Sequence, residues 1–132
     1  MRVVLWSYGF VAIGGALGAM ARFGLNVLMQ RDIAFPWGTP AANLLGCLVM
    51  GVVAQLVAPS AWFNEAGIVP DQYRLLFAIG FCGSFTTLSA LVMEVHTMLQ
   101  RNELLSAFSY LMATMIGGFA FFYAGFMLLR LF

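Results

Sequence analysis

The stretch Gly80-Phe81-Cys82-Gly83-Ser84-Phe85-Thr86-Thr87-Leu88-Ser89 decides how this chain is read. Two glycines and four hydroxyl residues interrupt a segment that is otherwise apolar for the length of a membrane span. Glycine weakens a helix, and Ser and Thr offer its backbone competing hydrogen bonds. One reading is a broken helix. Carbonyls freed at membrane depth are tolerated only where protein, an ion or a cavity satisfies them, so a break here is a candidate ion site. Unwound carbonyls of this kind coordinate sodium in the discontinuous helices of transporters. The other reading is a continuous helix whose hydroxyls bond back to its own carbonyls, and composition alone leaves both standing.

Working outward, the 132-residue chain is 63% hydrophobic and 8% charged, where a soluble domain is about 45–50% apolar and about 25% charged. Lipid is therefore the solvent for most of it. A spanning helix needs about 20 mainly apolar residues, and the charges and prolines cut the sequence into four pieces of that size: 4–29, 40–59, 74–99 and 104–130. The expected fold is an all-α membrane domain of four transmembrane helices, the third broken near 82–87. Turn chemistry fills the connections Gln30 to Thr39 (Arg31, Asp32, Pro36, Gly38) and Ser60 to Tyr73 (Asn64, Glu65, Gly67, Pro70, Asp71), and the third, around Gln100 to Glu103, is short. Four spans place both termini on one side. Arg2, an apolar stretch and Ala19-Met20-Ala21 superficially resemble a secretory signal. The stretch is longer than the about 7–15 residues of a signal's apolar region, so it is expected to stay as the first span. Gly14-x-x-x-Gly18, Ala42-x-x-x-Gly46, Ala113-x-x-x-Gly117 and Ala120-x-x-x-Ala124 have the small-residue spacing of tight helix packing in lipid.

The ionisable side chains are six arginines, no lysine, five acids and one histidine. That balance gives no hint of a nucleic-acid or acidic-substrate partner. Arginines near helix ends normally fix which side faces the cytoplasm, yet Arg2, Arg74 and Arg130 fall on one side and Arg22, Arg31 and Arg101 on the other. A chain without charge bias can insert both ways, and opposed copies can pair about a two-fold axis in the membrane plane. An antiparallel, dual-topology dimer is the expectation; the alternative is that other features fix one orientation. Cys47 and Cys82 lie in apolar runs and read as small packing residues.

Polar groups within spans are costly unless they find a partner or line an aqueous path. Arg22 has two readings, snorkelling to the interface or attracting anions. Asn43, just after Pro40 in the first turn of the second span, supplies two amide donors for an anion or for an interhelical bond. Tyr110 and Thr114 are four apart and share one face of the fourth helix, suiting either a stepwise path of hydroxyls or ordinary packing. Glu94 is a carboxylate within a span, while His96, two residues on, faces elsewhere and makes no shared metal site with it. No catalytic triad, metal-ligand spacing or phosphate loop accompanies these residues, so no enzyme is expected.

Taken together, the sequence resembles the Fluc or CrcB family of fluoride channels over nearly its whole length. The resemblance lies in Gly14-Gly15-Ala16-Leu17-Gly18-Ala19-Met20-Ala21-Arg22, Pro36-Trp37-Gly38-Thr39, Asn43-Leu44-Leu45-Gly46, the 80–89 stretch, Glu94 and Gly117-Gly118. It implies a dual-topology homodimer in the cell's inner membrane, with a pore along each side and passive export of cytoplasmic fluoride. It also implies a structural sodium ion at the dimer centre, held by the carbonyls of Gly83 and Thr86. Carried over by position, Asn43 is the pore amide, Thr39, Ser89, Tyr110, Thr114 and Glu94 are its polar neighbours, and Arg22 is a charge near the mouth. The chain departs from the family at one place. Where the family reads Thr-Thr-Phe-Ser-Thr-Phe-Ser, with both rings presented to fluoride, this chain has Leu88 and Leu91. An aromatic edge carries partial positive charge and leucine offers only methyl groups; Phe85 stands three residues earlier.

The departure leaves an altered fluoride pore, a changed anion preference, or a non-conducting subunit that needs a different partner. A small proton-coupled cation exporter, similar to the four-helix multidrug transporters, is the alternative from another class. Those transporters use a first-helix glutamate that is absent here, so Glu94 would have to serve from the third.

Overall fold

A computed structural model describes residues 2–29, 35–57 and 71–130. Helix α1 is Arg2–Met29 and α2 is Gly38–Val57. The third segment begins as α3, residues 71–85, in which a short α-turn Asp71–Tyr73 leads into a π-helix Arg74–Cys82 and a last turn Gly83–Phe85. It resumes as α4, Leu88–Gln100, and α5 is Leu104–Leu128. With α3 and α4 taken as one span, four helices among the described residues are long and apolar enough to cross a membrane. The expected end of the second span at 59 and most of the two longer connections lie outside the described residues.

The third segment is broken, and the break is only two residues long, at the end of the expected 82–87 interval. Thr86 (φ −79°, ψ 154°) and Thr87 (φ −151°, ψ 120°) are extended between two helical runs. Thr87 is also the N-cap of α4, its hydroxyl accepting the Ala90 amide at 3.3 Å, the job for which Thr is favoured at that position. At the other end of α4, Asn102 takes a left-handed φ of 60°, and the amide of Glu103 returns to the Met98 carbonyl at 3.0 Å. This helix-ending turn reverses the chain into α5.

Packing follows two close pairs, α1 on α3 and α2 on α5, with α4 resting on α5. Lipid supplies no hydrophobic drive between helices, so close backbone approach does much of the work. A Cβ at Gly18 would collide with the Phe81 carbonyl, and one at Gly125 with the Leu48 carbonyl. On α5 the buried stripe is Ala107, Tyr110, Thr114, Gly118 and Gly125. Ala113, Ala120 and Ala124, expected from their spacing to pack, are exposed instead; small-residue spacing marks a face without saying which neighbour meets it. Because α3 leans on α1 and α4 on α5, the chain changes neighbours at the break, and a groove opens there over α2.

Gly125→Ala is expected to destabilise the bundle by about 1–3 kcal/mol through overpacking against backbone. Gly9→Ala, where a Cβ meets nothing within 4 Å, should cause no loss and up to about 1 kcal/mol of gain. Thermal unfolding of both variants in detergent checks this.

Candidate functional site

The break would leave polar backbone groups stranded in hydrocarbon, and nearly all the conspicuous side chains converge on them. In an unbroken helix the Thr87 amide would bond to the Gly83 carbonyl and the Ala90 amide to that of Thr86. Here the Thr87 amide donates to Asn43 Oδ1 (2.7 Å), while Asn43 Nδ2 donates to the Thr87 carbonyl (3.1 Å). One side-chain amide thus satisfies both backbone groups of a single residue across 44 positions of sequence. The Ala90 amide is held by Thr87 Oγ1, and Ser89 Oγ lies 3.1 Å from that hydroxyl. Arg22 Nε donates to the Ser84 carbonyl at 3.1 Å, so the guanidinium is anchored at the break and does not reach for the helix end. Thr86 keeps a turn closed from the α3 side, its amide and hydroxyl both donating to the Cys82 carbonyl (3.0 and 2.8 Å).

The carbonyls of Gly83, Ser84, Phe85 and Thr86 lose their helical donors by this rearrangement, and Arg22 replaces the one at Ser84. Gly83 is exposed and Thr86 half-buried. Hard cations take oxygen ligands of this type, so the donor set fits the sodium that the sequence suggested. The cysteines do not compete for that role, and among the described residues no cluster of three His, Cys, Asp or Glu side chains exists.

A groove of about 470 Å³ runs from the break along α2 and α5. Asn43, Thr87, Leu88, Leu91 and Thr114 line its head, and Cys47, Gly118, Phe122 and Tyr123 continue it. The first amides of α4 have no partner within their helix, and the end that carries them is partially positive. That end sits at the head of the groove. Leu88 is 69% exposed beside it, whereas Leu91 is 2% exposed and belongs to the core with Met98, Ala107 and Tyr110. Phe85 is buried, stacks on Phe81 with ring centroids 5.4 Å apart, and does not line the groove.

A second cluster surrounds Glu94. Its Oε1 accepts the Thr39 hydroxyl at 2.7 Å and its Oε2 accepts the Tyr110 hydroxyl. The phenol also lies 3.2 Å from the Pro36 carbonyl, but its single proton serves one acceptor at a time. Thr39 and Tyr110 are nearly fully buried, so this carboxylate is clasped by hydroxyls at depth. Thr114 donates to the Tyr110 carbonyl one turn back (2.8 Å). It lines both the first groove and another of about 480 Å³ that holds Ser106 and Ser109.

The structure therefore brings Asn43, Ser89, Leu88, Leu91 and Thr114 to the break and groove, Thr39, Tyr110 and Glu94 to the carboxylate cluster, and Arg22 to the α1 side of the break. Sequence reasoning did not single out Thr87, although a Thr directly before an apolar helical run is an N-cap signal. It also passed over Phe119, Phe122 and Tyr123, whose spacing puts them on one face of α5 but reads the same for lipid contact.

Asn43→Leu is expected to cost at least about 2 kcal/mol, because two buried backbone groups lose their partners together. Hydrogen exchange should show the Thr87 amide losing protection ahead of the rest of α4. Continued protection would mean that another group caps the break.

Comparison with known proteins bears on this geometry. The family model described as CrcB-like protein, Camphor Resistance (CrcB), matches residues 9–126. A protein of Prosthecochloris aestuarii named fluoride-specific ion channel FluC is 36% identical over 121 residues, covering 91% of this chain and 90% of its own. Proteins of the same name from Chlorobium phaeobacteroides strain BS1 and from Rhizobium etli are 37% and 38% identical over 122 residues. They cover 92% and 91% of this chain, and 91% and 93% of their own lengths.

Proposed function

This chain belongs to the CrcB family, and from that premise we propose that it is a passive, fluoride-selective channel exporting cytoplasmic fluoride. It is a multi-pass membrane protein, placed by this reading in the inner membrane. The observation that carries the reading is the break in the third span, which starts α4 beside Asn43 and the groove. Fluoride is small and strongly hydrated, so a selective path must replace its water with donors at close range. The supply beside the break is the Leu88 and Ser89 amides, which have no partner within α4, and the second N–H of Asn43 Nδ2. The Arg22 guanidinium, fixed on the Ser84 carbonyl, adds positive potential beside them. Tyr110 and Thr114 give their protons to Glu94 and to a backbone carbonyl, so they shape the path more than they coordinate in it.

The functional unit under this reading is an antiparallel pair of copies with two pores, a reading supported by the near balance of arginines in the sequence, three against two with Arg22 held at the break. The Gly83 and Thr86 carbonyls, joined by the same pair from the second copy, would hold a structural sodium ion. When bound, that ion supplies positive charge that locks unwound backbone in place. A cation exporter is disfavoured, since the half-buried Glu94 carboxylate is already satisfied by two hydroxyls. A second reading, a subunit that conducts only beside a related partner, rests on Leu88 and Leu91.

Liposomes containing the purified protein alone are expected to release fluoride along its gradient and to retain chloride. No fluoride release, or equal release of chloride, overturns selective conduction by this chain, and release only after a related protein is added selects the second reading. Exchanging sodium for N-methylglucamine throughout purification should slow fluoride efflux about tenfold; unchanged efflux would remove sodium from the mechanism.

A further inference from the structure

Leu88 stands exposed at the head of the groove, where a ring edge would otherwise meet the anion, and Leu91 is sealed in the core. Aromatic surface is nevertheless present in the same groove, on the opposite wall. Phe119, Phe122 and Tyr123 of α5 line it together with Asn43, Thr87 and Leu88. Phe119 and Tyr123 are 65% and 59% exposed. Phe122 stacks on Phe126, with planes 17° apart and centroids 6.4 Å apart, and meets Tyr123 at 87°. The rim is the electropositive part of an aromatic ring, and of the three rings Phe119 and Tyr123 are the more exposed. Among the described residues the Tyr123 hydroxyl has no hydrogen-bond partner, although the hydroxyls of Thr39, Thr86, Tyr110 and Thr114 all donate. The groove therefore holds aromatic rings and an uncommitted O–H donor on α5.

We infer that the anion-contacting aromatic surface of this chain lies on α5, where Phe119 and Tyr123, backed by Phe122, take the place of rings at Leu88 and Leu91. The inference rests on the channel reading above and specifies which residues set its selectivity. Phe85 is not an alternative source of a ring, because it is stacked on Phe81 away from the groove. The competing account of Phe119 and Tyr123 is lipid contact or an interfacial belt of aromatics, and it predicts no link to position 88.

The test is fluoride and chloride efflux from liposomes carrying wild type, Phe119→Leu with Tyr123→Leu, and that double variant with Leu88→Phe added. Both replaced rings are largely exposed, so the fold should survive, and elution from a sizing column in detergent verifies it. The double variant is expected to release fluoride about tenfold more slowly than wild type. Leu88→Phe, which returns a ring to the groove head, should restore efflux in that background to within about threefold of wild type. Phe121→Leu, on α5 but outside the groove, should behave as wild type. Undiminished fluoride efflux in the double variant overturns this inference and leaves the channel reading intact, and so does a loss that Leu88→Phe does not repair. Absence of fluoride release by the wild type, alone or with a related partner, overturns the channel reading and this inference together.

Discussion

Hydrocarbon will not hydrogen-bond a peptide group, and the Asn43–Thr87 pair is where this protein answers that constraint. A helix interrupted at membrane depth strands amides and carbonyls that each cost several kcal/mol if left alone. Asn43 closes two of them with one side chain, at 2.7 and 3.1 Å. Without that clasp the extended conformation of Thr86 and Thr87 would have no reason to persist against a continuous helix. With it, α3 and α4 can follow different neighbours, and the groove over α2 results from their separation.

The same clasp gives the site its polarity. Ending α3 and restarting α4 in mid-membrane places a helix C-terminus and a helix N-terminus close together, with partial charges of opposite sign. The N-terminal end of α4 opens on the groove. On the α3 side, carbonyls of Gly83 and Thr86 lose their donors, and the Ser84 carbonyl is matched by Arg22. One interruption thus leaves unpaired amides at the start of α4 and unpaired carbonyls at the end of α3. Glu94 is kept out of this arrangement by Thr39 and Tyr110, which hold its two oxygens one helical level away.

The leucines show how a family pattern and a particular chain can separate. Leu88 and Leu91 are three residues apart and look equivalent in sequence, yet one is exposed and the other buried. The aromatic rings that line the groove belong to another helix. Their spacing was readable in advance, but any lipid-facing aromatic run would have looked alike.

Local sequence was enough for the medium, the number of spans and the stretch where an interruption could fall, while whether the helix breaks there was left open. These depend on local composition: long apolar runs, turn residues between them, and glycines and hydroxyls gathered at 80–89. It also marked Asn43, Glu94 and Arg22 as groups needing partners, because an unpaired polar group in lipid is costly wherever the chain goes. Only the tertiary structure decided which partners they have. Asn43 and Thr87 are 44 residues apart, Thr39 and Glu94 are 55 apart, and Arg22 and Ser84 are 62 apart. No local pattern encodes such pairings; they follow from how glycine-lined helices approach and at what height. The same physics chose Leu91 for the core and Leu88 for the groove, since a helix's rotation is set by its neighbours and not by its own residues.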